Sequence, residues 1–139
     1  METERRQDAK ILKTPEDVLS GVILGAAIEV HRVLGGPGLL ESVYEEALKH
    51  ELGLQGLRVQ TQVHVPILYK GRRLASDLRV DLLVEGRVVV ECKAVTRFHR
   101  IFLAQALTYL RLLDLRLALV LNFGERLLKD GIHRVVWKL

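Results

Sequence analysis

The chain has a single cysteine, three prolines and no apolar run near the roughly 18 residues that a membrane-spanning helix needs. One cysteine excludes a disulfide scaffold and a zinc site made only of cysteines. The opening stretch METERRQDAKILK is charged where a signal peptide needs apolar residues, so we expect a cytoplasmic protein with no membrane partner. Hydrophobic residues make up 49% of the 139 residues, which excludes disorder and suits one compact domain.

Aromatic residues are scarce, with three Phe, three Tyr and one Trp in the whole chain. No helix-turn-helix pattern and no second domain accompany them. Recognition of a specific nucleotide sequence is therefore not expected.

Positive charge is concentrated late in the chain: residues 1–36 carry −1, residues 37–56 carry −3 and residues 57–139 carry +8. Arginine outnumbers lysine two to one, and arginine suits bidentate contacts with phosphate groups. The last two thirds of the chain therefore favour a polyanionic partner, namely nucleic acid. A GC-rich genome would produce the same arginine usage and stays open as an alternative.

The spacing of the apolar residues predicts two helices, three strands, a third helix and two further strands. Thr14 and Pro15 are typical of a helix start, Gly35 ends this first helix, and the second helix is predicted over residues 39–52. The apolar face of the second helix is expected to comprise Leu40, Val43, Tyr44, Ala47, Leu48 and Leu52. The predicted strands are RVQTQVHVPILY, LRVDLLV, VVVECKAV, the doubly buried RLALVLNF and the edge strand HRVVWKL, and the third helix lies within FHRIFLAQALTYLRLLD. We assign residues 14–139 to one α/β domain, preceded by a flexible segment over residues 1–13.

Two of the predicted strands form a hairpin that carries charged side chains. Glu91 and Lys93 lie two residues apart, so their side chains leave one face of the strand while Cys92 leaves the other. A three-residue loop centred on Gly86 would place Asp81 directly opposite Glu91. A two-residue loop would put the two carboxylates on opposite faces.

Two carboxylates beside a lysine form a candidate site for a hard divalent cation, because Mg²⁺ prefers oxygen ligands. Such a cation activates a water and offsets charge on a phosphoryl oxygen, while the lysine positions the water or stabilises the transition state. This chemistry is phosphodiester hydrolysis. The alternative is an exposed cross-strand ion pair, because Glu-x-Lys strings are frequent.

The order of Asp81, a spacer of about ten residues and then Glu91-Cys92-Lys93 resembles the core signature of the PD-(D/E)XK nuclease superfamily. The stretch GLLESVY, from Gly38 to Tyr44, resembles the GxxExxY motif that names one family within it. The strings EVHRVLGGPGLLESVYEEAL and VLNFG extend the resemblance to residues 18–136.

The resemblance implies a restriction-endonuclease-like α/β core with two N-terminal helices, a central mixed β-sheet and a helix after the catalytic strand. It also implies that Glu41 joins Asp81 and Glu91 as a ligand of Mg²⁺, for which Mn²⁺ can substitute, and that Lys93 is catalytic. For Glu41 the alternative is a charge that only stabilises the helix N-terminus.

Gln105 and Tyr109 resemble the Gln-x-x-x-Tyr motif of the RecB-like branch, and they would complete the catalytic site from one helix face. We expect Gln105 to be buried and hydrogen-bonded to Lys93 or Glu91. For Tyr109 a plain core position is the alternative.

Tyr44 and His31 are expected to support the site. Tyr44 follows Glu41 by one helical turn, so its hydroxyl can orient that carboxylate, with a plain core position as the alternative. His31 lies at the C-terminal end of the first helix, where the helix dipole favours a protonated imidazole.

Arg97 and Arg100 follow the catalytic strand, and together with Arg72 and Arg73 they are expected to contact the phosphate backbone. A solvated loop is the alternative. Taken with the resemblance, these residues predict a Mg²⁺-dependent nuclease that hydrolyses DNA without strong sequence specificity. The alternative function is a catalytically weak or inactive nucleic-acid-binding module of the same fold. A purely protein-binding domain is disfavoured by the +8 segment, and the sequence is compatible with a homo-oligomer.

Overall fold

The structure, a computed structural model of the chain, describes residues 14–139, so the expected flexible segment over residues 1–13 lies outside the described residues. The helices are α1 (Pro15–Val33), α2 (Glu41–Leu54) and α3 (Ile101–Leu113), with a short 3₁₀ helix at Leu128–Gly131. The strands are β1 (Val59–His64), β2 (Leu68–Tyr69), β3 (Arg72–Arg73), β4 (Arg79–Val84), β5 (Val88–Lys93), β6 (Leu117–Asn122) and β7 (Ile132–Val136).

Five of the strands form the main sheet, in the order β1-β4-β5-β6-β7. The β5–β6 pair is parallel and the other three pairs are antiparallel. The connection between β5 and β6 contains α3, as a parallel crossover requires. The predicted α/β fold with a central mixed sheet, two N-terminal helices and a helix after β5 is confirmed.

Helix α1 begins as its sequence predicts. The Thr14 side chain accepts a hydrogen bond from the backbone N–H of Asp17, and the Asp17 side chain accepts one from the N–H of Thr14. This capping box pairs N–H groups that have no partner inside the helix. The start of α1 is thereby fixed.

Helix α2 differs from its prediction at both ends. It begins at Glu41 and runs through Gly53 to Leu54, and its buried residues are Tyr44, Leu48 and Leu52. The expected core residues Leu40 and Val43 are instead 75% and 38% exposed. Leu40 occupies the N-cap position, where the backbone is extended and the helical periodicity does not yet apply.

The sheet separates two hydrophobic clusters. On one face, α1 and α2 pack against alternate residues of the central strands, including Leu82, Val90 and Cys92. On the other face, α3 packs against residues that include Leu83 and Val89. All six residues of β6 are buried, as predicted, and β7 forms one edge of the sheet, also as predicted.

The first predicted strand, over residues 58–69, is divided in two. Strand β1 ends at His64, and Leu68–Tyr69 pairs only with Arg72–Arg73, as a separate two-stranded ribbon. Pro66 lies at the division and has no N–H to donate to a sheet ladder. The predicted turn at Lys70-Gly71 closes this ribbon, with φ of 50° and 79° at its two residues.

Within residues 14–139, no helix has both the length and the apolar character needed to cross a bilayer.

Candidate active site

The candidate site is built on the hairpin of β4 and β5. Leu82 pairs with Val90 and Val84 pairs with Val88, so a three-residue loop with Gly86 at its centre connects the strands. This is the loop length that the prediction of facing carboxylates needed. Continued by one residue, the same register places Asp81 opposite Glu91.

At Asp81 and Glu91, hydrogen bonds from backbone N–H groups to side chains replace the backbone ladder between β4 and β5. The backbone N–H of Asp81 donates to Glu91 Oε2 at 3.2 Å, and the N–H of Cys92 donates to Asp81 Oδ2 at 2.8 Å. Each carboxylate is therefore oriented by a main-chain N–H of the opposite strand. The two acids are held together by the hairpin itself.

The sheet also opens on the other side of Asp81. Strand β1 pairs with β4 on both sides of the position where Gln62 would face Asp81, but no pair is formed there. Gln62 has φ of 50°, outside the extended region. Val80 packs on the α3 side and Leu82 on the α1–α2 side, so β4 reverses its inward face at Asp81.

Burial makes the charge of Glu91 costly. Glu91 is 6% exposed, and burial, followed by repulsion from Asp81, raises the pKa of its carboxyl to about 9. A hydrogen bond between the two carboxyl groups acts in the same direction, whereas the attraction of Lys93 lowers the pKa and is the weakest of these influences. Within residues 14–139, neither Asp81 nor Glu91 forms an ion pair with a basic side chain.

Lys93 is directed to the α3 side of the sheet, where its Nζ lies 4.5 Å from the ring centroid of Phe102. A cation over an aromatic face is stabilised without an acidic partner. Cys92 faces the opposite way and is fully buried in the α1–α2 cluster, as strand parity predicted. Burial raises the pKa of its thiol, which suits a core residue.

Helix α2 supplies two more acids near the pair. Glu41 is its exposed first residue. Glu45, one turn later, is half-buried, and its Oε1 accepts a hydrogen bond of 2.8 Å from Nε2 of Gln62. Burial raises the pKa of the Glu45 carboxyl, and repulsion from Asp81 and Glu41 adds to this effect while the bond from Gln62 opposes it. The sequence prediction did not include Glu45, although its i, i+4 spacing from Glu41 was a signal for it.

The donor chemistry of this group fits a hard divalent cation. Asp81 and Glu91 offer adjacent carboxyl oxygens that form no ion pair within residues 14–139, and Mg²⁺ requires only one or two carboxylates because it keeps several waters. Among the described residues, no three His, Cys, Asp or Glu side chains lie close enough together to hold a metal ion. The structure thus brings Asp81 and Glu91 together but does not group Glu41 with them as a third metal-holding side chain.

Helix α3 presents one of its two expected residues to the site. Burial raises the pKa of the Tyr109 hydroxyl, and the nearby Glu91 and Asp81 raise it further. The prediction of a buried Gln105 is wrong, because its side chain is exposed. The inward stripe of α3 is made of Phe102, Ala106, Tyr109 and Leu110, and position 105 falls outside it.

Tyr44 holds the loop between α1 and α2 instead of the Glu41 carboxylate. Its hydroxyl donates to the carbonyl oxygen of Gly36 at 2.7 Å and accepts from the N–H of Leu39 at 3.2 Å. Its buried ring stacks on Phe123, with centroids 4.6 Å apart. The expectation that its hydroxyl orients Glu41 directly is therefore wrong, and the core alternative is the correct one.

His31 is buried at the end of α1 and donates from Nε2 to the carbonyl oxygen of Glu125 at 2.9 Å. It joins this helix to the segment that follows β6. Asn122, at the end of β6, was not predicted to matter. Its side chain bonds the N–H and the carbonyl oxygen of Val95 at 3.0 Å each and accepts from the N–H of Gly124 at 3.0 Å, which holds the chain just after Lys93.

The four expected phosphate contacts, Arg72, Arg73, Arg97 and Arg100, are all exposed. None of them forms an ion pair with another residue of the described range 14–139. Arg97 and Arg100 lie between β5 and α3. Their guanidinium groups are available to a polyanion.

Comparison with known proteins agrees with this geometry. The family model described as the PD-(D/E)XK nuclease superfamily matches residues 17–135, a span that contains the β4–β5 hairpin together with α2 and α3. No curated protein and no solved structure matches the chain. The superfamily acts on nucleic acid, generally hydrolyses phosphodiester bonds and typically uses divalent metal ions. The chain belongs to the PD-(D/E)XK nuclease superfamily.

Proposed function

We propose that this protein is a nuclease dependent on Mg²⁺, with Mn²⁺ as a substitute, that hydrolyses phosphodiester bonds of DNA without strong sequence preference. The observation that carries the proposal is the Asp81–Glu91 pair, which is held by backbone N–H groups and lacks an ion-pair partner within residues 14–139. A domain rarely keeps such a pair unless function requires it, because two adjacent carboxyl groups, one of them buried, destabilise the fold when both ionise.

Each residue of the proposed site has a role that follows from its position. Asp81 and Glu91 would hold the cation, and Glu41, at the start of α2, would add a third acidic group to the site. When bound, the cation activates a water and offsets charge on the phosphoryl oxygen. Lys93 stabilises the same developing charge from the α3 side of the sheet.

Tyr109 and Gln105 extend the site along α3. The Tyr109 hydroxyl lies near the carboxylate pair and donates a hydrogen bond to it or to the substrate. Gln105 lies one turn nearer the start of the helix and is exposed, so its amide is free to bond a phosphate or sugar of the bound strand. The Tyr44 bonds to the loop that precedes α2 hold the start of this helix and thereby position Glu41.

A cleavage assay tests the proposal. Purified parent protein is incubated with labelled single- and double-stranded DNA and RNA in Mg²⁺, Mn²⁺ or EDTA. We expect cleavage of DNA with either metal and none with EDTA. Glu91→Gln and Lys93→Met should each reduce the rate by about 100-fold or more without unfolding the protein, whereas Glu46→Gln, an exposed acid on α2, should leave it unchanged.

Parental rates in both site variants would mean that another site or a contaminant cleaves the nucleic acid.

The second candidate function is a nucleic-acid-binding module without useful turnover. It is favoured by one observation, namely that no three His, Cys, Asp or Glu side chains among the described residues form a group that could hold a metal ion. Tight binding of DNA without cleavage in either metal would support it.

A further inference from the structure

The ribbon of β2 and β3 lies between β1 and β4 in the chain, and all four of its residues are exposed. Leu68 is 67% exposed, Tyr69 is 60% exposed and Leu74, just after the ribbon, is 40% exposed. The two strands pair only with each other and add nothing to the main sheet. Exposed apolar residues on a projecting arm indicate a surface that another molecule covers.

The ribbon is also strongly basic. Lys70, Arg72 and Arg73 lie within four residues, and no acidic residue occurs from position 65 to position 76. None of the three forms an ion pair with any residue in the described part of the chain. The complementary partner is therefore a polyanion.

Both faces of the ribbon carry the same chemistry. Tyr69 is the cross-strand partner of Arg72, and Leu68 is the partner of Arg73, so each face has one arginine beside one apolar side chain. The turn Lys70-Gly71 forms the tip, where the Lys70 ammonium lies 5.5 Å from the Tyr69 ring centroid. A ribbon with a cation on each face fits between two rows of phosphates better than it fits a flat surface.

The ribbon and the proposed active site lie at the same end of the sheet. His64, which ends β1, pairs with Arg79, which begins β4, and β4 is antiparallel to β5. The segment 65–78 therefore leaves the sheet beside the end of β5, where Lys93 lies. Arg73 and Asp81 are eight residues apart in sequence, so the chain between them spans at most about 29 Å.

We propose that this ribbon is a substrate-anchoring arm that enters the major groove of double-stranded DNA beside the cleavage site. The inference rests on the proposed function and deepens it by specifying the substrate class. A two-stranded ribbon with its side chains is about 10 Å thick, and the B-DNA major groove is about 12 Å wide. The B-DNA minor groove, about 6 Å wide, and the deep, narrow major groove of duplex RNA are too tight. Single strands are bound on series of aromatic side chains, whereas this ribbon has only Tyr69.

The test compares Arg72→Ala/Arg73→Ala with a matched control, Arg58→Ala/Arg111→Ala. Both control arginines are exposed, and they lie at the opposite end of the sheet, beside the β4–β5 loop and at the end of α3. Affinity is measured by fluorescence anisotropy in Ca²⁺ for duplex DNA, single-stranded DNA and duplex RNA. Hydrolysis of a small phosphodiester, bis(p-nitrophenyl) phosphate, is measured in Mn²⁺.

We expect the ribbon variant to weaken duplex DNA binding by about tenfold or more and to reduce the slope of log affinity against log salt by about 1.8, which corresponds to two phosphate contacts. In the control variant, neither the duplex affinity nor the salt slope should change by a comparable amount. Hydrolysis of the small phosphodiester should be the same in the parent and in the Arg58→Ala/Arg111→Ala control, and the melting temperature of the ribbon variant should stay at the parental value.

Unchanged duplex affinity in the ribbon variant, or a parent that does not bind duplex DNA, would overturn the proposal. An equal loss for single-stranded DNA or duplex RNA would also overturn it, because the groove would then not be the contact. If the ribbon variant loses duplex DNA binding selectively but the parent cleaves no phosphodiester, the arm is supported and the proposed catalytic function fails. The two failures are thus distinguishable.

Discussion

Glu91 is a side chain whose ionisation the fold changes strongly. Its carboxyl is almost fully removed from water and lies against Asp81, so its pKa rises to about 9 in the metal-free protein. In the unfolded chain the same group ionises near its ordinary pKa of 4.5. Between these two values the folded protein holds a proton that the unfolded protein has released.

This difference predicts how stability depends on pH. Because the folded-state pKa is raised, the contribution of Glu91 to folding becomes less favourable as pH rises from about 4.5 to 9. Glu91→Gln keeps a neutral group of the same shape and removes this titration. We expect the variant to melt at a higher temperature than the metal-free parent at pH 8, by roughly 3–8 °C, and the difference to shrink towards pH 5.

The measurement is differential scanning calorimetry in EDTA across that pH range. Glu46→Gln, an exposed acid on α2, is the control and should follow the parent at every pH. A melting difference between Glu91→Gln and the parent that is the same at pH 5 and pH 8 would contradict the assignment of the raised pKa to Glu91.

At the scale of elements, the segment after β6 holds the segment after β5. Asn122 bonds both polar backbone atoms of Val95, and the N–H of Phe123 donates to the carbonyl oxygen of Lys93 at 2.7 Å. Gly124 approaches the backbone of Val95 so closely that a Cβ would overlap its carbonyl group. The position of Lys93 therefore depends on a glycine of another strand connection.

Gly124→Ala should destabilise the protein by about 1–3 kcal/mol or more, because the backbone of Val95 cannot yield as a flexible side chain would. Gly21→Ala is the control, since a Cβ there meets nothing within 4 Å. In the interior of α1 that change should stabilise the protein by up to about 1 kcal/mol. Urea unfolding of both variants measures the two effects, and equal stabilities would show that the two connections are not in close contact.

Helices and strands could be predicted where the apolar residues of a segment recur at one constant spacing. Thr14 and Pro15 mark the start of α1, and the three-residue loop around Gly86 determines the register that places Asp81 near Glu91. The sequence prediction did not separate the ribbon from β1, because apolar and polar residues continue to alternate through Pro66. Only the missing N–H of this proline interrupts the backbone ladder. The change of the buried face of β4 at Asp81 could not be predicted from the alternation of side chains along a strand, because that alternation assumes an unbroken backbone ladder.

Side-chain positions on helices were less predictable than the helices. Gln105 interrupts an apolar run, but α3 is apolar on more than its inward stripe, and Ile101 and Leu112 are exposed too. The apolar residues next to Gln105 in sequence therefore did not show whether Gln105 itself is buried. Glu45 was missed because its proximity to Asp81 depends on how α2 packs against β1 and β4, which the sequence pattern does not specify.

At the scale of the whole molecule, residues 57–139 carry a net charge of +8, and Arg97 and Arg100 lie beside the proposed site. Binding of nucleic acid should therefore be mainly electrostatic. With about three to five phosphate contacts, we expect micromolar or weaker affinity for duplex DNA at physiological salt.

Arg97→Ala/Arg100→Ala should reduce the log–log salt slope by about one to two units and weaken two unrelated duplexes equally. A salt titration in Ca²⁺ provides the measurement. An affinity that does not depend on salt, or a large preference for one duplex, would show that contacts other than phosphates dominate.

The central claim is that Asp81 and Glu91 together bind a divalent cation, and isothermal titration calorimetry tests it most directly. Mn²⁺ is titrated into the parent and into Asp81→Asn/Glu91→Gln at pH 7.5, in two buffers of different ionisation enthalpy. Because Glu91 is protonated at this pH and must ionise to bind, we predict one site in the parent with release of about one proton per cation. The double variant should show no such site. Equal Mn²⁺ affinity in the double variant, or binding to the parent without proton release, would contradict the account.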